Sequence, residues 1–111
     1  MTHYCFVVIS NPVAGQEEEY NRWYTDQHLP DVLAIPGIVG AQRFKLAQPK
    51  SDLPGGYLAL YDIETNDPQA VMAELERRSG TPQMVMSEAL DMSRISATLF
   101  SAMTTKLSAA V

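Results

Sequence analysis

Cysteine occurs once in the 111 residues, at Cys5, which excludes an internal disulfide and a thiolate-rich metal cluster. Histidine occurs twice, as His3 and His28, with no His-x-x-x-His pair, so neither a metal nor a cofactor is expected. Basic residues are scarce: 8 Lys and Arg stand against 13 Asp and Glu, a formal net charge of -5. That balance disfavours nucleic-acid backbones and anionic lipid, both of which need clustered cations. No run approaches the roughly 18 apolar residues of a membrane span. The first ten residues lack the basic start and long apolar stretch of a secretion signal, so the expected location is cytoplasmic. Glycine-rich phosphate loops and Gly-x-Ser-x-Gly nucleophile turns are missing, and Gly55-Gly56 is followed by neither lysine nor helix.

The composition that remains, 46% hydrophobic and 19% charged, is that of a globular chain. At this length one core is the limit, so residues 1–105 are expected to form a single domain and 106–111 a frayed tail. Tyr4 to Ser10 reads as a strand closed by Asn11-Pro12. Gln16 to His28 reads as a helix, with Glu17, Glu18 and Glu19 in its first turn complementing the helix dipole. Pro30 should stop or kink it, and Asp31 to Ile35 should be a short continuation before Pro36-Gly37. Strands follow at Ile38–Leu46 and Tyr57–Glu64, separated by a Pro- and Gly-rich loop, Gln48 to Gly56, expected to be the most mobile internal segment. Alternation in the third strand puts Tyr57, Ala59, Tyr61 and Ile63 on one face. Asn66 or Asp67 caps a second helix reaching about Ser79, with Ala70, Val71, Ala73, Glu74 and Leu75 as its inner stripe. Met84 to Leu90 fits a short helix, and Arg94 to Met103 a last strand.

The order β-α-β-β-α-β specifies an α+β, ferredoxin-like architecture: one antiparallel sheet with two helices on one face. Strand residues are apolar on both faces, for example Phe6 and Val8 against Val7 and Ile9. The uncovered face is then an association surface, and a homodimer is the expected remedy.

The first helix carries the most informative cluster. Tyr20, Tyr24 and His28 are spaced by four and so share a helical face, with Trp23 beside them. Placed in the last turn, His28 would have its protonated form favoured by the dipole, and its ordinary pKa suits general acid–base work. Tyr61 is its sheet-side counterpart. A bland reading stands beside this one: a histidine near a helix end can simply cap carbonyls, and Tyr and Trp are commonly core. Arg43 can neutralise an anionic ligand or extend to water.

From Tyr20 through His28, Pro30 and Pro36-Gly37 to Arg43 and Phe44, the chain resembles the dimeric α/β-barrel superfamily, in particular its EthD-like members. The shared pattern is an aromatic-rich helix, a histidine two residues before proline, and a Pro-Gly that opens the second strand. The resemblance implies homodimers whose sheets close into a barrel, with a pocket between helices and sheet in each subunit. It also implies a cofactor-independent enzyme of isomerase, cyclase, lyase or monooxygenase type, acting on a small hydrophobic, oxygenated or aromatic molecule. Its haem-degrading members use an arrangement of Asn, Trp and His that does not map onto this chain, so haem is not expected. The catalytic role that the resemblance implies carries over to His28 alone; the residues themselves add Tyr61 as its catalytic counterpart and Tyr20, Trp23, Tyr24, Arg43 and Phe44 as substrate contacts. The alternative is a non-catalytic dimer that binds a small ligand or has a structural role.

Overall fold

The computed structural model describes residues 1–49 and 52–110. The chain runs β1 (Thr2–Ser10), α1 (Glu17–Trp23), a π-helical turn (Tyr24–His28), α2 (Leu29–Leu33), β2 (Ile38–Lys45), β3 (Tyr57–Thr65), α3 (Pro68–Arg78) and β4 (Ser96–Ser101). The strands lie in the order β2, β3, β1, β4, and each neighbouring pair is antiparallel. This is the expected α+β, ferredoxin-like sheet with its helices on one side. No helix among the described residues is long and apolar enough to cross a membrane.

Register fixes which side chains meet the helices. Tyr4, Phe6, Val8 and Ser10 of β1 stand opposite Ile63, Tyr61, Ala59 and Tyr57 of β3. Against this face pack Tyr20, Trp23, Tyr24, Val32 and Ile35, all buried, together with Val71 of α3. The buried Ser10 hydroxyl pairs with the Tyr20 hydroxyl at 2.6 Å, which ties the helix to the central strand. The other face carries Cys5, Val7 and Ile9 opposite Asp62, Leu60 and Leu58, flanked by Phe44 and Phe100, and no element among the described residues covers it.

The helix does not end at Pro30. It continues to Leu33, because one residue is inserted as a π turn: the Leu29 N–H bonds to the Tyr24 carbonyl, five residues back. Proline lacks a donor and its ring crowds the carbonyl four residues earlier, so an unwidened helix would break there. Residues 84–90 are not a helix either. Their backbone groups bond outward: Gly80 N–H to the Met84 carbonyl, Val13 N–H to the Ala89 carbonyl, and Trp23 Nε1–H to the Val85 carbonyl. The segment is a strap with Met84, Ala89 and Leu90 buried and Val85 and Glu88 exposed.

In α3 the inner stripe is Val71, Met72 and Leu75, whereas Ala70 and Ala73 are exposed. Asp67 is its cap, accepting from the Ala70 N–H at 3.1 Å, and Gly80 closes it at φ +82°. Lys50 and Ser51, at the tip of the loop expected to be mobile, lie outside the described residues. Its second half is anchored: Asn11 donates to the Pro54 carbonyl and accepts from the Gly56 N–H, each at 2.9 Å. Residues 102–110 are exposed and carry no helix or strand.

Candidate functional site

A cavity of about 360 Å³ lies between the first helical segment, the sheet and α3, with the 84–90 strap as part of its wall. The π turn and its flanks contribute Trp23, Tyr24, His28 and Val32; the sheet contributes Phe6, Val8, Tyr61 and Ala97. Met72 and Leu75 come from α3, while Met84, Met86 and Leu90 come from the strap. The exposed residues Glu76 and Ser79 are on its rim. Among the described lining residues Glu76 is the one fixed charge, and there is no Lys or Arg.

Among the described residues, His28 carries the buried side-chain polar atom that the fold leaves unsatisfied. Its Nδ1 is sealed from solvent and has no hydrogen-bond partner. The Trp23 indole stacks on the imidazole, with ring centres 4.7 Å apart, and Tyr24 meets it edge-on at 5.0 Å. Residues 23 and 28 are five apart, and the inserted π residue places them in the same stack, a contact that a spacing-of-four pattern does not contain. Burial pushes the His28 pKa down from 6.5 to about 4, against a smaller upward pull from Asp31. The expectation of a dipole-stabilised cation is therefore reversed. Position 28 is inside the helix rather than at its end, so desolvation wins and the ring is neutral at pH 7.

Tyr61 reaches the cavity from β3, and its hydroxyl donates to the Tyr24 hydroxyl at 3.4 Å. Burial raises the pKa of both phenols, Tyr24 to about 12 and Tyr61 further, so both stay protonated. His28, Tyr61, Trp23 and Tyr24 are thus brought together on one cavity.

The other three expected contacts are placed differently. Tyr20 lies behind Tyr24, with ring centres 5.6 Å apart and its hydroxyl turned to Ser10. Arg43 points to the helix side of the sheet but does not line the cavity. Its guanidinium lies 4.6 Å from the Tyr24 ring centre, with Tyr20 and Tyr57 at 5.4 and 5.5 Å. It donates to Thr25 Oγ1 and Asn21 Oδ1, both at 2.9 Å. Phe44 is a correction: it points to the opposite, uncovered face, opposite Leu58 in the ladder. Alternating side-chain directions along a strand prevent Arg43 and Phe44 from serving the same site.

The cavity residues from α3 and the strap were not identified in the sequence. Their only signal is the alternation of Met84 and Met86, which as a pattern reads equally as core. Methionine is flexible and polarizable, which suits a wall that must adapt to a ligand. No group of three or more His, Cys, Asp and Glu residues among the described residues is placed to hold a metal.

No protein-family model matches the chain, and no curated protein matches it in sequence. Solved structures do. One, a mutant of MhuD with two manganese protoporphyrin IX molecules bound per active site, superposes with a TM-score of 0.61 at 16% identity, covering 95% of this chain and 99% of that one. A protein of unknown function from Nitrosomonas europaea gives 0.54 at 18% identity, covering 98% and 96%. An EthD family protein from Bacillus halodurans C-125 gives 0.51 at 10% identity, covering 93% and 100%. At these identities the likeness is one of fold alone, a four-stranded antiparallel sheet with its helices on one side.

Proposed function

We propose that the chain is a homodimeric pocket protein that takes up an uncharged, mostly apolar, oxygen-bearing molecule and acts on it with His28 as proton acceptor. The observation that carries this reading is the half-buried His28 imidazole, whose Nδ1 is sealed and has no hydrogen-bond partner, held by Trp23 and Tyr24 on the wall of an apolar cavity. Buried polar groups are nearly always paired, and one left unpaired beside a cavity is suited to a ligand. The cavity volume falls at the small end of ligand pockets, which span roughly 300–1,000 Å³.

A neutral imidazole begins the cycle as a base. It takes a proton from a C–H beside a carbonyl or from a phenol, leaving an imidazolium next to the new anion. Attraction between the two charges is strong where water is excluded, and it offsets the low basicity that burial imposes on the free ring. Returning the proton to a different atom completes an isomerisation or cyclisation with no external electron acceptor.

The porphyrin held by MhuD suggests a second occupant, but the residues do not fit it. Protoporphyrin carries two carboxylates, and the charged side chain on the lining is Glu76. Like charges repel, so an uncharged ligand is favoured.

The test is hydrogen–deuterium exchange at the acidic carbon of 2-tetralone, a bicyclic ketone, followed by NMR. The protein should accelerate exchange over buffer, and His28→Ala and His28→Gln should each slow it by about 10²–10⁴-fold, the range for loss of a general base. Exchange that is no faster than buffer, or undiminished in His28→Gln, contradicts the catalytic role.

A further inference from the structure

We propose that Tyr24 and Tyr61, backed by the Arg43 guanidinium, form an oxygen-binding wall that selects a carbonyl compound, with Arg43 as a positioning residue that does not touch the ligand. This rests on the cavity being a ligand site. The hydrogen-bond arrangement supplies the first support. Tyr61 donates to the Tyr24 hydroxyl, so that oxygen is used as an acceptor, while its own proton finds no acceptor among the described residues. A carbonyl oxygen entering the cavity accepts that proton without disturbing any existing bond. Both phenols are held neutral by burial, so they offer a donor and no competing charge.

Arg43 supplies the second. Thr25 Oγ1, Asn21 Oδ1 and the Asn21 carbonyl hold its guanidinium, and the Tyr24 ring centre is 4.6 Å away. An arginine that merely extended to water would need neither the rings nor these acceptors. A cation on the face of a phenol withdraws electron density from it and makes its O–H a stronger donor. Arg43 thus acts on the ligand through Tyr24. Geometry adds a third point: Tyr24 lies edge-on to His28, so a carbonyl bound to Tyr24 is delivered beside the imidazole, where its adjacent C–H can be attacked.

The experiment compares 2-tetralone with tetralin, the hydrocarbon of the same shape, by titrating the fluorescence of Trp23, the single tryptophan of the chain. The protein should bind the ketone about tenfold more tightly, the net effect of one good hydrogen bond. Tyr24→Phe should bring that ratio close to one while leaving tetralin affinity in place. Arg43→Met should reduce it two- to threefold (roughly, as a partial loss of that bond), and Arg43→Lys should restore part of it. The infrared carbonyl stretch of bound 2-tetralone gives an answer from the unmutated protein and should move to lower frequency. If tetralin binds but the ketone gains nothing, or the ratio survives Tyr24→Phe, the oxygen-binding wall is wrong and the cavity reading stands. If neither probe binds, both fail.

Discussion

Unfolding would return the His28 imidazole to water and restore its ordinary basicity, so protons favour the unfolded chain. Its folded pKa is about 4 against 6.5. Well above pH 6.5 the ring is neutral in both states and contributes no pH dependence. As the pH falls from 6.5 toward 4 the unfolded state binds the proton first, and stability drops by up to about 3 kcal/mol before levelling. Chemical denaturation at pH 7 and pH 4.5 should show this loss, and His28→Phe should remove most of it. An equal slope in both proteins would place the responsible group elsewhere. The sequence made His28 legible as a candidate, because a spacing of four from Tyr24 and Tyr20 marks a shared face. Its charge state was not legible, since burial depends on α3 and the strap, which arrive from more than forty residues away. Arg43 and Phe44 teach the complementary point: strand alternation separates them, and the register Arg43–Ala59, Phe44–Leu58 assigns each its face.

At the scale of elements, the π turn and Pro30 depend on each other. Proline removes a donor and crowds an unwidened helix, and the inserted residue both relieves that and brings Trp23 over His28. Pro30→Ala restores the donor, so residues 24–28 should relax toward an α-helix and the indole–imidazole stack should separate. Far-UV circular dichroism should hold while the near-UV tryptophan band weakens and tetralin binding falls. A near-UV spectrum identical to that of the unaltered protein would show that packing alone holds the turn. The anchored half of the 48–56 loop gives a second element-level expectation. A Cβ at Gly55 would fall 2.5 Å from the Ser10 carbonyl oxygen, closer than backbone permits. Gly55→Ala should therefore destabilise by roughly 1–3 kcal/mol, the usual cost of forced overpacking, measurable by urea titration. Element order and most strand positions were readable because alternation and Pro/Gly breaks are local. The sequence pattern of the strap suits a helix, but its hydrogen bonds go to distant residues such as Val13 and Trp23, which local periodicity cannot encode.

For the whole molecule, the sheet presents one apolar face that no element among the described residues covers. Val7, Ile9, Leu58 and Leu60 form its centre, with Phe44, 40% exposed, and Phe100, 55% exposed, on the outer strands. Such a contiguous patch marks an association surface, and face-to-face pairing of two copies about a two-fold axis buries it on both at once. Four strands about 4.8 Å apart and six to nine residues long make a face of roughly 20 by 20–30 Å. Two such faces bury on the order of 1,000 Å² in total, near the lower limit for a stable interface. An assembly so close to that limit should not survive a single buried charge. Light scattering at tens of micromolar should give twice the chain mass, and Phe100→Asp or Phe44→Asp should give the chain mass with the far-UV spectrum retained. Both positions are exposed in the single chain, so the substitution costs its fold little, and a loss of mass reports the interface. The melting temperature of the unaltered protein should rise with concentration, and that dependence should vanish in the Asp variants. A chain-mass particle for the unaltered protein at these concentrations would rule out pairing through the sheet and leave the exposed face without its partner.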